Sequence, residues 1–149
     1  MSRFIVLVVF VVAVMGIGFL IGTAFPTGEW YASLEKPSWT PPSEVFVWVW
    51  PVLYFLIAVA GWSVFVNAQT GWGLWLANLV FNFLYTPVFF GLHLVGWSVL
   101  VVGATLVTAI AFTSATWHRN RLASVCFIPY TLWLGYAFTL SLAIWWANA

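Results

Sequence analysis

Polar and charged positions interrupt this chain in only a few places, and the residues between them are almost continuously apolar. No Asp, Glu, Lys or Arg occurs from Val45 to His118. Charges fall at Arg3, in a window from Glu29 to Glu44, and at Arg119 and Arg121, and Asn and Gly residues punctuate the rest. A helix needs about 20 apolar residues to cross a bilayer core of roughly 30 Å. The pattern therefore predicts five membrane-spanning helices, near residues 4–25, 44–66, 73–92, 95–117 and 122–147. Barrel strands would be about 10 residues long and would alternate apolar with polar, which these segments do not. The expected fold class is an all-α membrane protein: a five-transmembrane-helix bundle forming one domain over residues 1–149, with a long structured loop at 26–43 between the first two spans.

The first apolar run, from Phe4 to Phe25, exceeds the roughly 7–15 residues of a signal-peptide core and is read as a span. Short connections at 67–72, 92–96 and 118–121 predict that consecutive helices pack as antiparallel neighbours. The 26–43 loop is different. It carries Pro26, Pro37, Pro41 and Pro42 with Trp30, Tyr31 and Trp39, a stiff aromatic composition that should fold over one end of the bundle. Two readings of it stand: an interfacial anchor of Trp and Tyr, or a functional loop. Gly18-x-x-x-Gly22 fits the small-residue pattern of helix contacts, within one chain or between two.

Charge adds orientation. The chain has 4 Lys and Arg and 3 Asp and Glu. With an odd number of spans, Arg3, Arg119 and Arg121 share one face, and Lys36 and all three acids lie on the other. The positive-inside rule then predicts a cytoplasmic N-terminus, and the membrane is expected to be a prokaryotic cytoplasmic one because no targeting extension precedes the first span. A near-zero net charge argues against a nucleic-acid partner. Cys126, the single cysteine, forms no internal disulfide.

Twelve Trp among 149 residues exceed what interfacial belts require, so some should point inward. Helical spacing groups Trp50 with Tyr54 on the second span, Trp75 with Asn78, Asn82 and Tyr85 on the third, and Tyr130 with Trp133, Ala137 and Ser141 on the fifth. An amide facing lipid would lack a partner at a cost of several kcal/mol, so both asparagines must face the interior. They either hold helices together or, for Asn82 in particular, offer a hydrogen bond to a ligand in an aromatic cavity.

Several chemistries are excluded. Ion-coupled transport generally needs intramembrane ionisable groups, and no carboxylate or Lys lies inside a span. Metal sites need clustered ligands, whereas His93 and His118 sit alone in turns on opposite faces, so no metal is expected. Group-transfer motifs are likewise missing.

The stretch Trp30-Tyr31-Ala32-Ser33-Leu34-Glu35-Lys36-Pro37-Ser38-Trp39-Thr40-Pro41-Pro42 resembles the first long loop of the TspO family, the tryptophan-rich sensory proteins related to the mitochondrial translocator protein. Val49-Trp50-Pro51-Val52-Leu53-Tyr54, Asn78-Leu79-Val80-Phe81-Asn82, Thr86-Pro87-Val88-Phe89-Phe90-Gly91 and Pro129-Tyr130-Thr131-Leu132-Trp133 resemble that family's second, third and fifth helices in order and spacing. The resemblance implies a five-helix bundle, often a homodimer, that binds porphyrins such as protoporphyrin IX and, in some members, sterols or benzodiazepine-type ligands, with the loop as lid. No resident cofactor is implied; the porphyrin is a ligand. Carried over by position, ligand contacts fall on Trp39, Trp50, Asn82, Trp133 and Ala137, to which spacing adds Tyr54 and Tyr130. Some bacterial members are reported to degrade protoporphyrin IX in light through two tryptophans that match Trp50 and Trp133. Transport of a small molecule remains a further alternative. The sterol motif proposed for animal relatives, a Tyr followed by Lys or Arg late in the fifth helix, is missing, since no basic residue follows Arg121.

Overall fold

A computed structural model describes residues 2–149. Its helices are α1 (Arg3–Ala24), a short α2 (Glu29–Ser33), α3 (Ser43–Val66), α4 (Trp72–Thr86), α5 (Val95–Thr116) and α6 (Arg121–Asn148). Five are long and apolar enough to cross a membrane once α4 is joined to the π-helical turn Pro87–Gly91 that continues it. Their outer surfaces are apolar, with Phe4, Phe19, Trp48, Leu132 and Trp146 all exposed, as lipid-facing helices require. Pro87 has no N–H to give and its ring crowds the preceding turn, so the helix widens. The Leu92 N–H then bonds the Pro87 carbonyl, five residues back, at 2.9 Å. This swings Phe89 inward, where it is 1% exposed.

Close packing joins α1 to α3, α3 to α6, α6 to α5 and α5 to α4, so the helices circle the bundle in that order and α4 closes the ring only loosely against α1 and α3. Short connections had predicted that all consecutive helices pack closely, and for α3 and α4 this is corrected. Large aromatic rings hold the two backbones apart. Trp75 reaches across to donate from Nε1 to the Ile57 carbonyl at 2.9 Å, lying over Gly61, where a Cβ would strike the indole. Trp72 stacks on Trp75 with centroids 5.0 Å apart, and Phe10 of α1 meets Trp75 at 5.5 Å. Gly18 is likewise a packing residue within the chain. A Cβ there would lie 2.5 Å from the Tyr54 ring, whereas at Gly22 it would meet open space.

At the end away from the loop, polar bonds stitch the helices. Asn120 caps α6, its Oδ1 accepting from the Ala123 N–H at 3.1 Å, and its amide reaches Ser63 of α3 at 2.9 Å. Arg119 donates to Thr70 Oγ1 at 3.0 Å. The opposite end is covered by residues 25–42, where the sequence predicted loop alone and the structure adds α2. Lys36 caps that short helix, donating to the Tyr31 and Leu34 carbonyls at 2.6 and 2.9 Å. Half-burial beside Phe89 and Phe90, with Tyr136 nearby as a lesser cause, pushes the Tyr31 phenol above its ordinary pKa, so it remains neutral at physiological pH.

Candidate functional site

Trp50 and Tyr54 on α3, Asn82, Tyr85 and Thr86 on α4, Val102 and Thr105 on α5, and Leu134 and Ala137 on α6 line one cavity of about 30 Å³ inside the bundle. Its walls are apolar and aromatic because each helix turns the same stripe inward that helical spacing groups in sequence. Trp50 and Tyr54 are one turn apart on α3, with ring centroids 5.3 Å apart. Pro51 beside them leaves α3 continuous even though it has no N–H to place in the ladder.

Below the cavity a chain of hydrogen bonds runs across three helices. Asn82 Nδ2 donates to the Tyr130 hydroxyl at 2.8 Å, and that hydroxyl donates to Asn78 Oδ1 at 3.0 Å. Asn78 Nδ2 then donates to the Thr105 carbonyl at 2.8 Å and to Thr108 Oγ1 at 3.1 Å. Asn78, Asn82 and Tyr130 are all buried. Among the described residues three buried side-chain polar atoms lack a partner, and one of them, Asn82 Oδ1, is on a residue of the cavity wall. Buried groups of this kind are ordinarily paired, so this oxygen marks a place where a ligand's polar atom would be accommodated.

Of the residues singled out in sequence, Trp50, Tyr54, Asn82 and Ala137 line the cavity, and Tyr130 supports Asn82 from beneath. Trp39 and Trp133 do not line it. They join Phe46 and Tyr136 in a second aromatic group shared by the loop, α3 and α6: Trp133 meets Phe46 at 5.7 Å and Tyr136 at 5.6 Å, and Trp39 meets Tyr136 at 5.7 Å. The Tyr136 hydroxyl also donates to the Trp39 carbonyl at 2.9 Å. Asn148 grips the same loop through two bonds, accepting from the Glu35 N–H at 3.0 Å and donating to the Glu35 carbonyl at 2.9 Å. On the other side Trp30 stacks on His93 with centroids 4.0 Å apart. The loop thus rests on α4, α6 and the turn before α5.

Thr105 escaped the sequence reading although its carbonyl anchors the network. Its hydroxyl bonds the Val101 carbonyl one turn back, as intramembrane threonines commonly do, so its residue type carried no distinct signal. Among the described residues no cluster of three or more His, Cys, Asp or Glu is present.

The fold and the site together define a polytopic membrane protein whose helices enclose an aromatic cavity under a tethered loop. The sequence matches the TspO/MBR family over residues 6–147. It is 34% identical to the translocator protein of Homo sapiens over 141 residues (87% of this chain, 82% of that one) and 37% identical to the tryptophan-rich sensory protein of Cereibacter sphaeroides over 114 residues (75% and 72%). With the tryptophan-rich protein TspO of Archaeoglobus fulgidus the identity is 36% over 151 residues, covering 96% and 97%. The chain belongs to the TspO/MBR family and is an integral membrane protein.

Proposed function

We propose that the cavity binds a flat, apolar tetrapyrrole such as protoporphyrin IX, giving the chain a sensory or porphyrin-handling role. The observation that carries this reading is the pairing of aromatic walls, Trp50, Tyr54 and Tyr85, with one buried amide oxygen that has no partner inside the protein. The chemistry of the walls fits such a ring; the volume does not, since small-molecule sites run to about 300–1,000 Å³. Binding therefore requires the bundle to open. The side where α4 faces α3 and α1 is where it opens most easily, because α4 touches both only loosely.

Protoporphyrin IX titrated in the dark into detergent-solubilised protein should quench tryptophan fluorescence saturably. In Asn82→Leu the dissociation constant should rise about tenfold, the usual scale of a lost buried hydrogen bond, with the circular dichroism unchanged. Unchanged affinity would remove Asn82 from the site.

A second reading, consumption of the porphyrin in light, is favoured by the 5.3 Å approach of Trp50 to Tyr54, which sets two oxidisable rings in one wall. Electron-rich rings beside a photo-excited macrocycle are ready one-electron donors. Trp50→Phe, and Trp133→Phe if that indole also contributes, should then bleach bound porphyrin several-fold more slowly under illumination while still binding it. Equal bleaching with and without protein would exclude turnover. For orientation we infer a cytoplasmic N-terminus, a reading supported by Arg119 and Arg121, which flank the start of α6 at the end where α1 begins.

A further inference from the structure

The direction of each hydrogen bond beneath the cavity is forced, and it decides which atom Asn82 shows to a ligand. The Thr105 backbone carbonyl has no proton, so Asn78 must turn its Nδ2 toward it at 2.8 Å. Thr108 places its own proton on the Ala104 or Thr105 carbonyl, each 2.9 Å away, so it too accepts from Asn78. Asn78 Oδ1 is thereby turned to Tyr130, 3.0 Å away, and takes the single phenolic proton. With that proton committed, Tyr130 can only accept from Asn82, and at 2.8 Å it does so from Nδ2. The remaining atom, Asn82 Oδ1, is left buried and without a partner on a residue of the cavity wall. Tyr85 and Thr86 also line the cavity, but the Tyr85 hydroxyl is paired with Ser141 Oγ at 2.8 Å, and a hydroxyl in any case rotates to give or to take and sets no polarity.

We propose that Asn78 and Tyr130 are positioning residues that lock the Asn82 amide with its oxygen toward the cavity, so that the site selects flat aromatic ligands bearing an N–H or O–H donor on the edge meeting Asn82. The inference rests on the cavity being a ligand site. A ligand offering an acceptor at that edge leaves a buried carbonyl unpaired against it, which costs roughly tenfold or more in affinity.

The test uses carbazole and dibenzofuran, two flat tricyclic probes of one shape that differ in an N–H donor against an ether oxygen. Each is titrated against the protein loaded with protoporphyrin IX, displacement is followed by porphyrin fluorescence, and each is referenced to its own partition into protein-free micelles. Carbazole should displace the porphyrin at a concentration about tenfold lower or less. Tyr130→Phe, which keeps the ring and removes the lock, should bring the ratio toward one. Asn78→Leu leaves the Tyr130 proton free for Asn82 Oδ1, turns the amide NH₂ toward the cavity, and should shift preference to dibenzofuran. Equal displacement by both probes in the unmodified protein, or by neither, overturns the proposal whether or not the variants fold. Absence of saturable porphyrin binding at the outset is a separate result and overturns the cavity reading itself.

Discussion

Gly61→Val is expected to be the most damaging single substitution in the bundle. The Trp75 indole lies directly over Gly61, and a Cβ placed there meets its ring atoms well inside contact distance. Neither partner can yield. Gly61 is part of the continuous backbone of α3, and Trp75 is held by its bond to the Ile57 carbonyl and by rings on two sides, Trp72 at 5.0 Å and Phe10 at 5.5 Å. Overpacking of a core costs typically 1–3 kcal/mol, and expelling the indole adds the loss of a buried hydrogen bond at about 1 kcal/mol. Thermal unfolding in detergent should therefore fall by many degrees or the protein should fail to accumulate. Gly22→Val, in α1 and facing open space, is the control and should change little. Equal melting of Gly61→Val and the unmodified protein would mean that Trp75 has another position available.

The second large effect concerns the loop. Trp30→Ala should speed amide hydrogen exchange across residues 29–42 by about 5- to 150-fold, while exchange in α3 and α6 remains as it was. Trp30 contributes a stack on His93 at 4.0 Å and an edge contact to Phe89 at 5.4 Å. Aromatic pairs are worth about 0.5–1.5 kcal/mol each beyond area burial, and two of them give that range of opening equilibria. The bonds from Asn148 to Glu35 and from Tyr136 to Trp39 remain, so the loop should loosen on its α4 side and stay tied to α6. An unchanged exchange rate would show that those two ties alone hold it.

The membrane makes some features of this fold plain in sequence and hides others. Lipid offers no hydrogen bonds, so spans must be continuously apolar helices and their extents could be read almost to the residue. The same absence turned Asn78, Asn82 and Tyr130 inward, because nothing else could satisfy them. The order of helices around the bundle is another matter. It depends on which surfaces fit, and the fit of Trp75 over Gly61 or of Tyr54 against Gly18 joins residues far apart in sequence without any compositional trace. For that reason α3 and α4 were expected to be close partners and are not. The placement of Trp39 and Trp133 outside the cavity lining was hidden for a related reason. Both are where aromatic residues of a cavity would be, and only the contacts of the loop with Tyr136 and Phe46 draw them into a separate group.

Seen as an elastic object, the bundle is stiff on four sides and compliant on the fifth. Among the described residues a single hydrogen bond, from Trp75 to the Ile57 carbonyl, spans α3 and α4, and the rest of that wall is ring against ring. That wall is also the one of little contact overall, whereas the α5–α6 and α3–α6 walls are closely packed and riveted by the Thr116–Ser124 and Ser63–Asn120 bonds. Any swelling of the interior would therefore be taken up by one wall, and on the proposed function a strap between α3 and α4, such as an engineered crosslink, would set an upper limit on the size of the ligand.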